Sequence, residues 1–309
     1  MNHTDFQEKY QKKLLETFKI AVEFLNSRNL LWFAADGTAL GAVRHKGIIP
    51  WDDDVDIYML REDYQKLMEL REDLKCHTCL DMETLGANDS IHTYIKIVNT
   101  ETTLIEKENL PISGFWIDVF PLDYYDRGAF SYRNKIKIYK KHFHNYQRSV
   151  LPLNIKSFCT PLVRLDFGGF WENIKSRTYY KIKSKEMLNI FRNFEDSMHV
   201  DNGANLVCYT EEVSFMKEWF ADYLEMPFND FKVRVPVGYH EYLTYAYGDY
   251  MTPPPPEKQV MTHTPYYVNI ERRLSKKQVR NSIKTKEYQS NSNVFYGGKK
   301  TLKDVLKKS

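Results

Sequence analysis

The stretch Leu31–Met59, LWFAADGTALGAVRHKGIIPWDDDVDIYM, decides how this chain folds. Its first residues, Leu31–Ala35, form an apolar run of the length of a buried strand. A turn at Asp36–Thr38 follows, and a short helical pattern then leads to Gly47, which can end a helix as its C-cap. The stretch therefore predicts a strand, a turn and a short helix in succession.

The second half of the stretch carries a crowd of aspartates directly after Pro50. From Asp54 onward polar and apolar residues alternate, which predicts a strand with Asp54 and Asp56 on one face. Asp52 joins this pair if the strand begins early, whereas Asp53 is expected to point elsewhere and to be structural. Adjacent carboxylates repel, and a divalent cation that takes oxygen ligands from both removes the conflict. The alternative, a solvated acidic loop, is disfavoured by the apolar residues on either side.

A third acidic residue, Asp118, lies within the otherwise apolar run Phe115–Phe120. A buried carboxylate requires a partner, because burial without one costs several kcal/mol. If this strand neighbours Asp54–Tyr58, Asp118 completes a site of three carboxylates. The alternative is a salt bridge to a neighbouring Arg or Lys.

Gly37 and Thr38 stand where a strand passes into a helix, and backbone N–H groups at such a position suit phosphate oxygens. The alternative for Thr38 is an ordinary N-cap. Arg44, His45 and Lys46 bring positive charge between this turn and the aspartates, where phosphate charge needs balancing. Each of the three could also be simple surface charge.

The charge of the chain is unevenly distributed, although its net formal charge is only +3 over 309 residues. Thirteen Lys and Arg stand against three Asp and Glu in Ser131–Met187, and twelve against three in Glu271–Ser309. Basic segments of this kind indicate an anionic partner, either phosphates or a membrane surface, unless they are solvated helix faces.

Several observations bear on the cellular compartment. Apolar runs are too short for a membrane-spanning helix, and the N-terminal residues lack the apolar core of a signal peptide. Four cysteines in a chain of this length do not indicate a disulfide framework, so a reducing, cytoplasmic setting is expected. Cys76 and Cys79 have the spacing of a metal-binding pair, but without a second pair they do not predict a structural zinc site.

Periodicity elsewhere predicts further helices and strands. Helices are expected over residues 5–29, 61–74 and 239–247, and strands over 93–98, 102–105, 114–121 (ended by Pro121) and 231–236. These elements divide the chain into a core (1–128), a basic, aromatic helical insertion (129–200), a return to the core (201–265) and a basic, partly mobile tail (266–309).

Three segments follow the motif order of a known family. Gly-Thr after a strand, Asp-x-Asp on the next strand and a later carboxylate resemble the nucleotidyltransferase superfamily. The closer resemblance is to the LicD family of phosphocholine transferases and its relatives in the fukutin group. It rests on GTALGAVRHKGIIPWDDDVDI (37–57), WIDVFPLD (116–123) and VPVGYHEYLTYAYGDYMTPPP (235–255), followed by His263. The chain departs from the family at Asp36, where a small residue more often precedes Gly-Thr.

The resemblance implies an α+β fold, a nucleotidyltransferase-like mixed β-sheet core flanked by helices with a helical insertion or second lobe. It implies transfer of a phosphocholine-type group from a CDP-choline-like donor to a glycan or lipid-linked glycan, such as lipopolysaccharide or teichoic acid, with release of CMP. Mg²⁺ or Mn²⁺ is the expected cofactor. Asp54, Asp56 and Asp118 are the expected catalytic and metal-binding residues, with Asp52 as a further ligand. The substrate-binding candidates are Gly37, Thr38, Arg44, His45, Lys46, Trp51, Lys96 and His263.

Other readings of the same residues stay open. The donor could instead carry ethanolamine phosphate or a pentitol phosphate, or the reaction could transfer a nucleotidyl group. A different class of function is a non-catalytic protein that binds anionic surfaces. The basic segments are consistent with peripheral contact with an anionic membrane, and nothing in the sequence indicates a nucleic-acid partner. Choline would suit an aromatic cage, for which Trp51, Tyr124 and Tyr125 lie near the motifs.

Overall fold

The deciding stretch forms two adjacent strands joined by a short helix. In this computed structural model, β1 (Phe33–Ala34) pairs antiparallel with β2 (Asp56–Leu60), with Phe33 opposite Tyr58. The helix α2 (Asp36–Leu40) follows β1 after one residue. The structure describes residues 3–85, 92–107, 110–125, 130–150, 184–196, 205–261 and 264–297, together with a few single positions between 166 and 203.

The first of two compact units contains this stretch and is built from three parts of the chain, Met1–Glu83, Ile95–Pro121 and Glu218–Ser309. Its main sheet has the strand order β1, β2, β6 (Trp116–Tyr125), β4 (Ile95–Asn99) and β3 (Leu80–Glu83), with β4 antiparallel to both β3 and β6. Strand β2 thus neighbours β6, which is the condition set above for Asp118 to join the aspartates. The unit also contains α1 (His3–Ser27), α3 (Arg61–Glu69), α4 (Arg71–His77) and a strand of a smaller sheet, β5 (Thr103–Ile105).

Helix α1 supplies much of the core of the first unit. Its residues Leu14, Phe18 and Leu25 are almost completely buried, at the helical spacing that the sequence shows. The Phe18 ring makes edge contacts with Trp32 and Phe228. The helix predicted over residues 61–74 is instead two helices, because the chain breaks at Leu70 between α3 and α4.

Strand β6 does not end at Pro121, and the prediction that proline terminates it is wrong. Its residues Trp116–Val119 pair with β4, and Asp123–Tyr125 pair with β7 (Asn205–Cys208). Proline has no N–H to donate to a ladder. Pro121 lies between the two paired stretches, where the ladders require no N–H from it, so the strand passes through it.

The second unit contains Thr84–Tyr94 and Leu122–Lys217, whereas the sequence places the insertion at 129–200. Its described elements are the helices α5 (Phe130–Val150) and α6 (Ser184–Asp196) and the antiparallel pair β7 and β8 (Val213–Met216). A small aromatic core joins Tyr125, Tyr139, Val207 and Tyr209.

The chain then returns to the first unit through a hairpin and a helix, of which the sequence predicts the second strand and the helix. Strands β9 (Tyr223–Phe228) and β10 (Phe231–Pro236) pair antiparallel, and α7 (Tyr239–Tyr247) ends at Gly248. Gly248 has a φ of +68°, which a residue without Cβ adopts at low cost.

Residues 267–296 carry regular structure that the sequence analysis did not predict. Strand β11 (Tyr267–Asn269) lies between β5 and β12 (Val294–Tyr296) and pairs antiparallel with both. The helix α8 (Lys276–Lys284) packs on this small sheet through Val279. This segment is therefore part of the first unit. None of the helices described is long and apolar enough to cross a membrane.

Candidate active site

Helix α2 begins at Asp36 itself, without the separate turn expected there. Asp36 has a φ of +39°, and the N-cap is Ala35, so Thr38 is not the cap. Thr38 is buried and its Oγ1 accepts the backbone N–H of Asp56 at 2.9 Å. The hydroxyl thus fixes the start of β2 against the first turn of α2, which places the Gly-Thr pair beside the aspartates.

The helical segment ends at Lys46 rather than at Gly47 as predicted. After α2 the chain continues as a π-helical turn, Gly41–His45, and Lys46 takes the left-handed conformation with φ +57°. Gly47 serves a different purpose, because a Cβ there would lie 2.6 Å from the Asn229 side chain. The same Asn229 Oδ1 accepts the N–H of Ile48, so the β9–β10 turn supports the loop before the aspartates.

The aspartates form a compact cluster directly before β2. Oxygen atoms of Asp52, Asp53 and Asp54 all lie within 4.8 Å of one another. Regular strand geometry starts only at Asp56, so the alternation that was expected to turn Asp53 away does not apply to these residues. Asp53 is 3% exposed and shares the cluster.

Burial and mutual repulsion shift the protonation of this cluster. Burial, followed by the charge of Asp54, raises the pKa of Asp52 to about 8. The pKa of Asp56 is also raised, by burial first and then by the charges of Asp54 and Asp118. So much negative charge in a partly desolvated place disfavours the ionised state unless a cation is present.

Gly37 brings the Asp52 carboxylate close to the first turn of α2. A Cβ at position 37 would lie 2.6 Å from Asp52 Oδ2, so only glycine leaves room for this carboxylate. The requirement here is close approach, since Gly37 has ordinary helical geometry within α2.

Two glutamines of α1 hold the loop that leads into the cluster. Gln11 Nε2 donates to the carbonyls of Ile49 (3.0 Å), Pro50 (3.2 Å) and Asp52 (2.8 Å). Gln7 Nε2 donates to the Pro50 carbonyl at 2.7 Å. The apolar periodicity of α1 predicts only its contact with the core. The i, i+4 spacing of the two glutamines places them on one face of the helix and is the feature that indicates its contact with the loop.

Asp118 lies next to the cluster, and its backbone N–H donates to the Val55 carbonyl at 2.9 Å. Directly opposite Asp118 on β4 is Lys96, whose Nζ is 3.3 Å from Asp118 Oδ1 and 3.3 Å from Glu106 Oε1. Lys96 is 3% exposed, and its ammonium lies 3.9 Å from the centre of the Trp116 ring. The salt bridge that the sequence left open as an alternative for Asp118 is therefore present.

Three tyrosines that the sequence analysis did not single out face the acidic residues. The Tyr58 hydroxyl donates to Asp36 Oδ2 and the Tyr242 hydroxyl to Asp36 Oδ1, each at 2.9 Å. Burial raises the pKa of Asp36 despite these two hydrogen bonds. The pKa of Tyr247 is raised by burial and by the charges of nearby aspartates, Asp36 first. The segment 235–255 was part of the resemblance, but nothing local in it marks individual tyrosines.

A cavity of about 360 Å³ opens over the cluster. Asp52, Gly37, Arg44 and Trp51 line one part of it, and the end of α7 and the residues that follow line the other, namely Tyr247, Asp249, Tyr250, Thr252 and Pro254. Arg44 donates to the Tyr250 carbonyl at 2.7 Å, and this contact ties the two parts together.

The other predicted site residues lie in different positions. The His45 ring contacts the Trp51 ring edge-on, and desolvation lowers the pKa of His45. Lys46 is exposed beside this loop. Lys96 contacts Asp118, as described above. His263 falls outside the described residues.

The donor set of this site fits a hard divalent cation. Carboxylate oxygens within 4.8 Å of one another can approach a single ion with little movement, since the ligands of Mg²⁺ lie about 2.1 Å from the metal. A cation there would also remove the repulsion that raises the pKa values of Asp52 and Asp56. A mixed sheet with clustered aspartates beside a Gly-Thr helix start is the arrangement of a nucleotidyltransferase-type domain.

Comparison with known proteins leads to the family. Residues 29–174 match the family model described as LicD/FKTN/FKRP, nucleotidyltransferase domain. The chain is 30% identical over 237 residues to the lipopolysaccharide cholinephosphotransferase LicD of Haemophilus influenzae, a match that covers 74% of this chain and 84% of that protein. The chain belongs to the LicD family.

Shorter matches are found in two uncharacterized rickettsial proteins. One, from Rickettsia typhi, is 46% identical over 56 residues, 18% of each chain. The other, from Rickettsia prowazekii, is 44% identical over 57 residues, 18% of this chain and 21% of that protein.

Proposed function

We propose that this protein is a metal-dependent transferase that moves a phosphocholine-type group from a CDP-linked donor to a glycan hydroxyl, with release of CMP. The observation that carries the proposal is the aspartate cluster, whose member Asp52 lines a cavity together with Gly37 and Arg44. The Haemophilus influenzae relative is a lipopolysaccharide cholinephosphotransferase, which supports the proposed group transferred and the proposed kind of acceptor.

The cation would be held by Asp54 and Asp56 with Asp52 as a further ligand. Asp52 and Asp54 belong to the compact cluster, to which Asp53 also offers an oxygen, and Asp56 follows at the first position of β2. Mg²⁺ or Mn²⁺ bound there would supply charge neutralisation for the donor diphosphate. Arg44 lies on the cavity wall, where its guanidinium can bind phosphate oxygens. Its hydrogen bond to the Tyr250 carbonyl holds the side chain in place.

Asp118 is the residue we assign to the acceptor, as the base that takes the hydroxyl proton or as a third ligand of the cation. The Lys96 ammonium at 3.3 Å balances its charge, so Asp118 remains an anion able to accept a proton. Lys96 is thus a positioning residue for Asp118 rather than a group that binds substrate.

A quaternary ammonium group prefers the faces of aromatic rings. Trp51, Tyr247 and Tyr250 all line the cavity and are the candidates for this contact. The earlier candidates Tyr124 and Tyr125 belong to the second unit.

A screen of donors tests the proposal. The purified protein is incubated with Mg²⁺ and CDP-choline, CDP-ethanolamine, CDP-ribitol or CTP, and released CMP is measured against pyrophosphate. CMP release from CDP-choline that depends on metal and on a glycan acceptor supports the proposal. Pyrophosphate release from CTP alone would assign nucleotidyl transfer instead, and no release from any donor would favour a binding protein.

Two variants test whether the activity depends on the aspartates that are proposed to hold the cation. Asp54→Asn and Asp56→Asn are each expected to abolish metal-dependent CMP release while the far-ultraviolet circular dichroism spectrum is unchanged. Asp230→Asn is the matched control, because Asp230 is an exposed carboxylate that forms a surface ion pair with Lys19. Full activity in both cluster variants would contradict the metal site.

We also propose a cytoplasmic location with peripheral contact between the basic segments and an anionic membrane. Cys76, Cys79 and Cys208 are free thiols, which is the state expected of cysteines in a reducing compartment.

A further inference from the structure

A second large cavity lies on the face of α8 and is strongly basic. Its volume is about 720 Å³, and four cations line it, namely Arg272, Lys277, Arg280 and Lys284. Glu287 is the one carboxylate in the lining described, and Arg272 already donates to it at 2.6 Å. Among the described residues, no carboxylate lies within ion-pair distance of Lys277, Arg280 or Lys284.

The orientation of α8 is fixed, so these cations are held facing outward. The helix begins with a full capping box, in which Ser275 and Gln278 bond each other's backbone N–H groups. Val279 is buried in the core that includes Leu274 and Tyr267. The Tyr267 hydroxyl donates to Ser282 Oγ at 2.9 Å, which fixes the second turn as well.

Most of the cations on α8 oppose the stability of the helix, although the dipole favours Lys284 in the last turn. Lys276 and Lys277 lie in its first turn, where the helix dipole disfavours positive charge, and no acidic residue is present there. Lys277, Arg280 and Lys284 follow at spacings of three and four, so like charges are neighbours on one face. An anion bound to this face would relieve both kinds of repulsion.

A hollow of about 350 Å³ adjoins the basic cavity, and we call it the apolar hollow because most of its lining side chains are aliphatic or aromatic. Ile105, Ile112, Tyr266 and Ile283 line it, and Arg280 lines both spaces. Lys276 stands at the hollow as well. A ligand that spans the two spaces must therefore carry an anionic group and an apolar part next to each other.

We propose that this face of α8 binds an anionic phospholipid at a membrane surface, with the lipid phosphate in the basic cavity and the adjoining acyl or glycerol part in the apolar hollow. The inference deepens the membrane contact put forward above by naming the surface and the lipid chemistry. A free phosphate would satisfy the cations, but it would leave the apolar hollow without a role. The lipid accounts for both spaces.

Vesicle binding tests the proposal with the full chain and without donor or acceptor. Flotation is compared for phosphatidylcholine vesicles with and without phosphatidylglycerol. The triple variant Lys277→Gln/Arg280→Gln/Lys284→Gln is expected to lower partition into the anionic vesicles on the order of a hundredfold, since each surface cation contributes about a factor of five. The variant should fold at least as well as the parent, because it relieves repulsion within α8.

A control variant with the same change in net charge shows whether the loss of vesicle binding is specific to α8. Lys12→Gln/Lys66→Gln/Lys258→Gln removes three exposed cations elsewhere on the first unit and should retain most of the binding. An equal loss in both triple variants would show a general charge effect and overturn the proposal. The proposal would also be overturned if the parent protein did not float with anionic vesicles at low salt, or if α8 bound phosphate but the protein did not bind vesicles. CMP release is measured on the same variants, so a failed transferase and a failed lipid site are distinguished.

Discussion

The Tyr242 hydroxyl both donates to Asp36 Oδ1 at 2.9 Å and accepts the Asp36 backbone N–H at 2.7 Å, across 206 positions of the chain. This double contact joins α7 to the first residue of α2. Since Asp36 holds a left-handed backbone conformation, the contact fixes the residue from which the Gly-Thr helix start continues.

Tyr242→Phe is expected to destabilise the protein by about 1–3 kcal/mol, because the Asp36 backbone N–H loses its partner and the Asp36 carboxylate keeps only the hydrogen bond from Tyr58 among those described above. Urea unfolding measures the change. Tyr245→Phe is the control, since Tyr245 lies on the same helix with 58% of its surface exposed. Equal stability of the two variants would show that the contact to Asp36 contributes nothing.

Lys96→Met leaves Asp118 buried and the partly exposed Glu106 beside it without the ammonium between them, and a loss of about 3–5 kcal/mol in the free energy of unfolding is expected, mainly from Asp118. The double variant Lys96→Met/Asp118→Asn should recover part of this loss, since it removes one of the unpaired charges. Thermal and urea unfolding of the single and double variants measure the recovery. A double variant that is less stable than Lys96→Met would contradict the pairing.

Gln11→Ala removes the hydrogen bonds from α1 to three carbonyls of the loop before the aspartates. We expect weaker Mn²⁺ binding, measured by electron paramagnetic resonance, and a lower kcat, because the loop that carries Asp52 loses its support. Lys12→Ala, an exposed change on the same helix, should alter neither. Unchanged Mn²⁺ affinity in Gln11→Ala would show that the loop holds its shape by itself.

The metal-free protein is expected to lose stability as pH rises from about 5 to about 8. The pKa of Asp52 is raised from 3.8 to about 8 in the folded state, so over this range the folded protein binds more protons than the unfolded chain. The free energy of unfolding therefore falls with pH, as linkage requires. Asp52→Asn should flatten the profile measured by urea unfolding in the presence of a chelator. A wild-type profile that already rises over this range would contradict the raised pKa.

Gly37→Ala tests the close approach of Asp52 to α2. The added methyl group would lie 2.6 Å from Asp52 Oδ2 and must displace that carboxylate. Alanine is otherwise the better helix former by about 1 kcal/mol, so the protein should stay folded while activity and Mn²⁺ affinity fall. Full Mn²⁺ affinity in this variant would show that the carboxylate moves aside without consequence.

Local patterns in the sequence were enough for much of the fold. The alternation around Asp56 predicts β2, and the pattern ending at Gly248 predicts α7 with its correct bounds. The apolar run around Asp118 predicts a strand, and the expectation that it neighbours β2 is confirmed. These features depend on residues close together in the chain, whose periodicity is visible directly.

The contacts that shape the candidate site depend on residues far apart, which periodicity does not report. The register that sets Lys96 opposite Asp118 follows from strand pairing between β4 and β6. The pairing of β11 with β5 joins segments more than 160 positions apart. The residues around β11 are basic and polar, so their composition does not indicate a strand. Proline usually ends a strand because it has no N–H to donate, which is why the sequence predicts an end at Pro121. That prediction fails because the ladders on either side of Pro121 require no N–H from it.

The three-part construction of the first unit also sets the order in which the protein can be completed during synthesis. Residues 33–60 leave the ribosome early, but Tyr242, which fixes Asp36, and β11, which completes the sheet on β5, follow only after the whole of the second unit. Loops of this length make the closing contacts slow to form. The second unit can fold while the first still waits for its last segment. A nascent chain that stops before residue 267 would therefore present β5 as an open strand edge, which chaperones or neighbouring chains can bind.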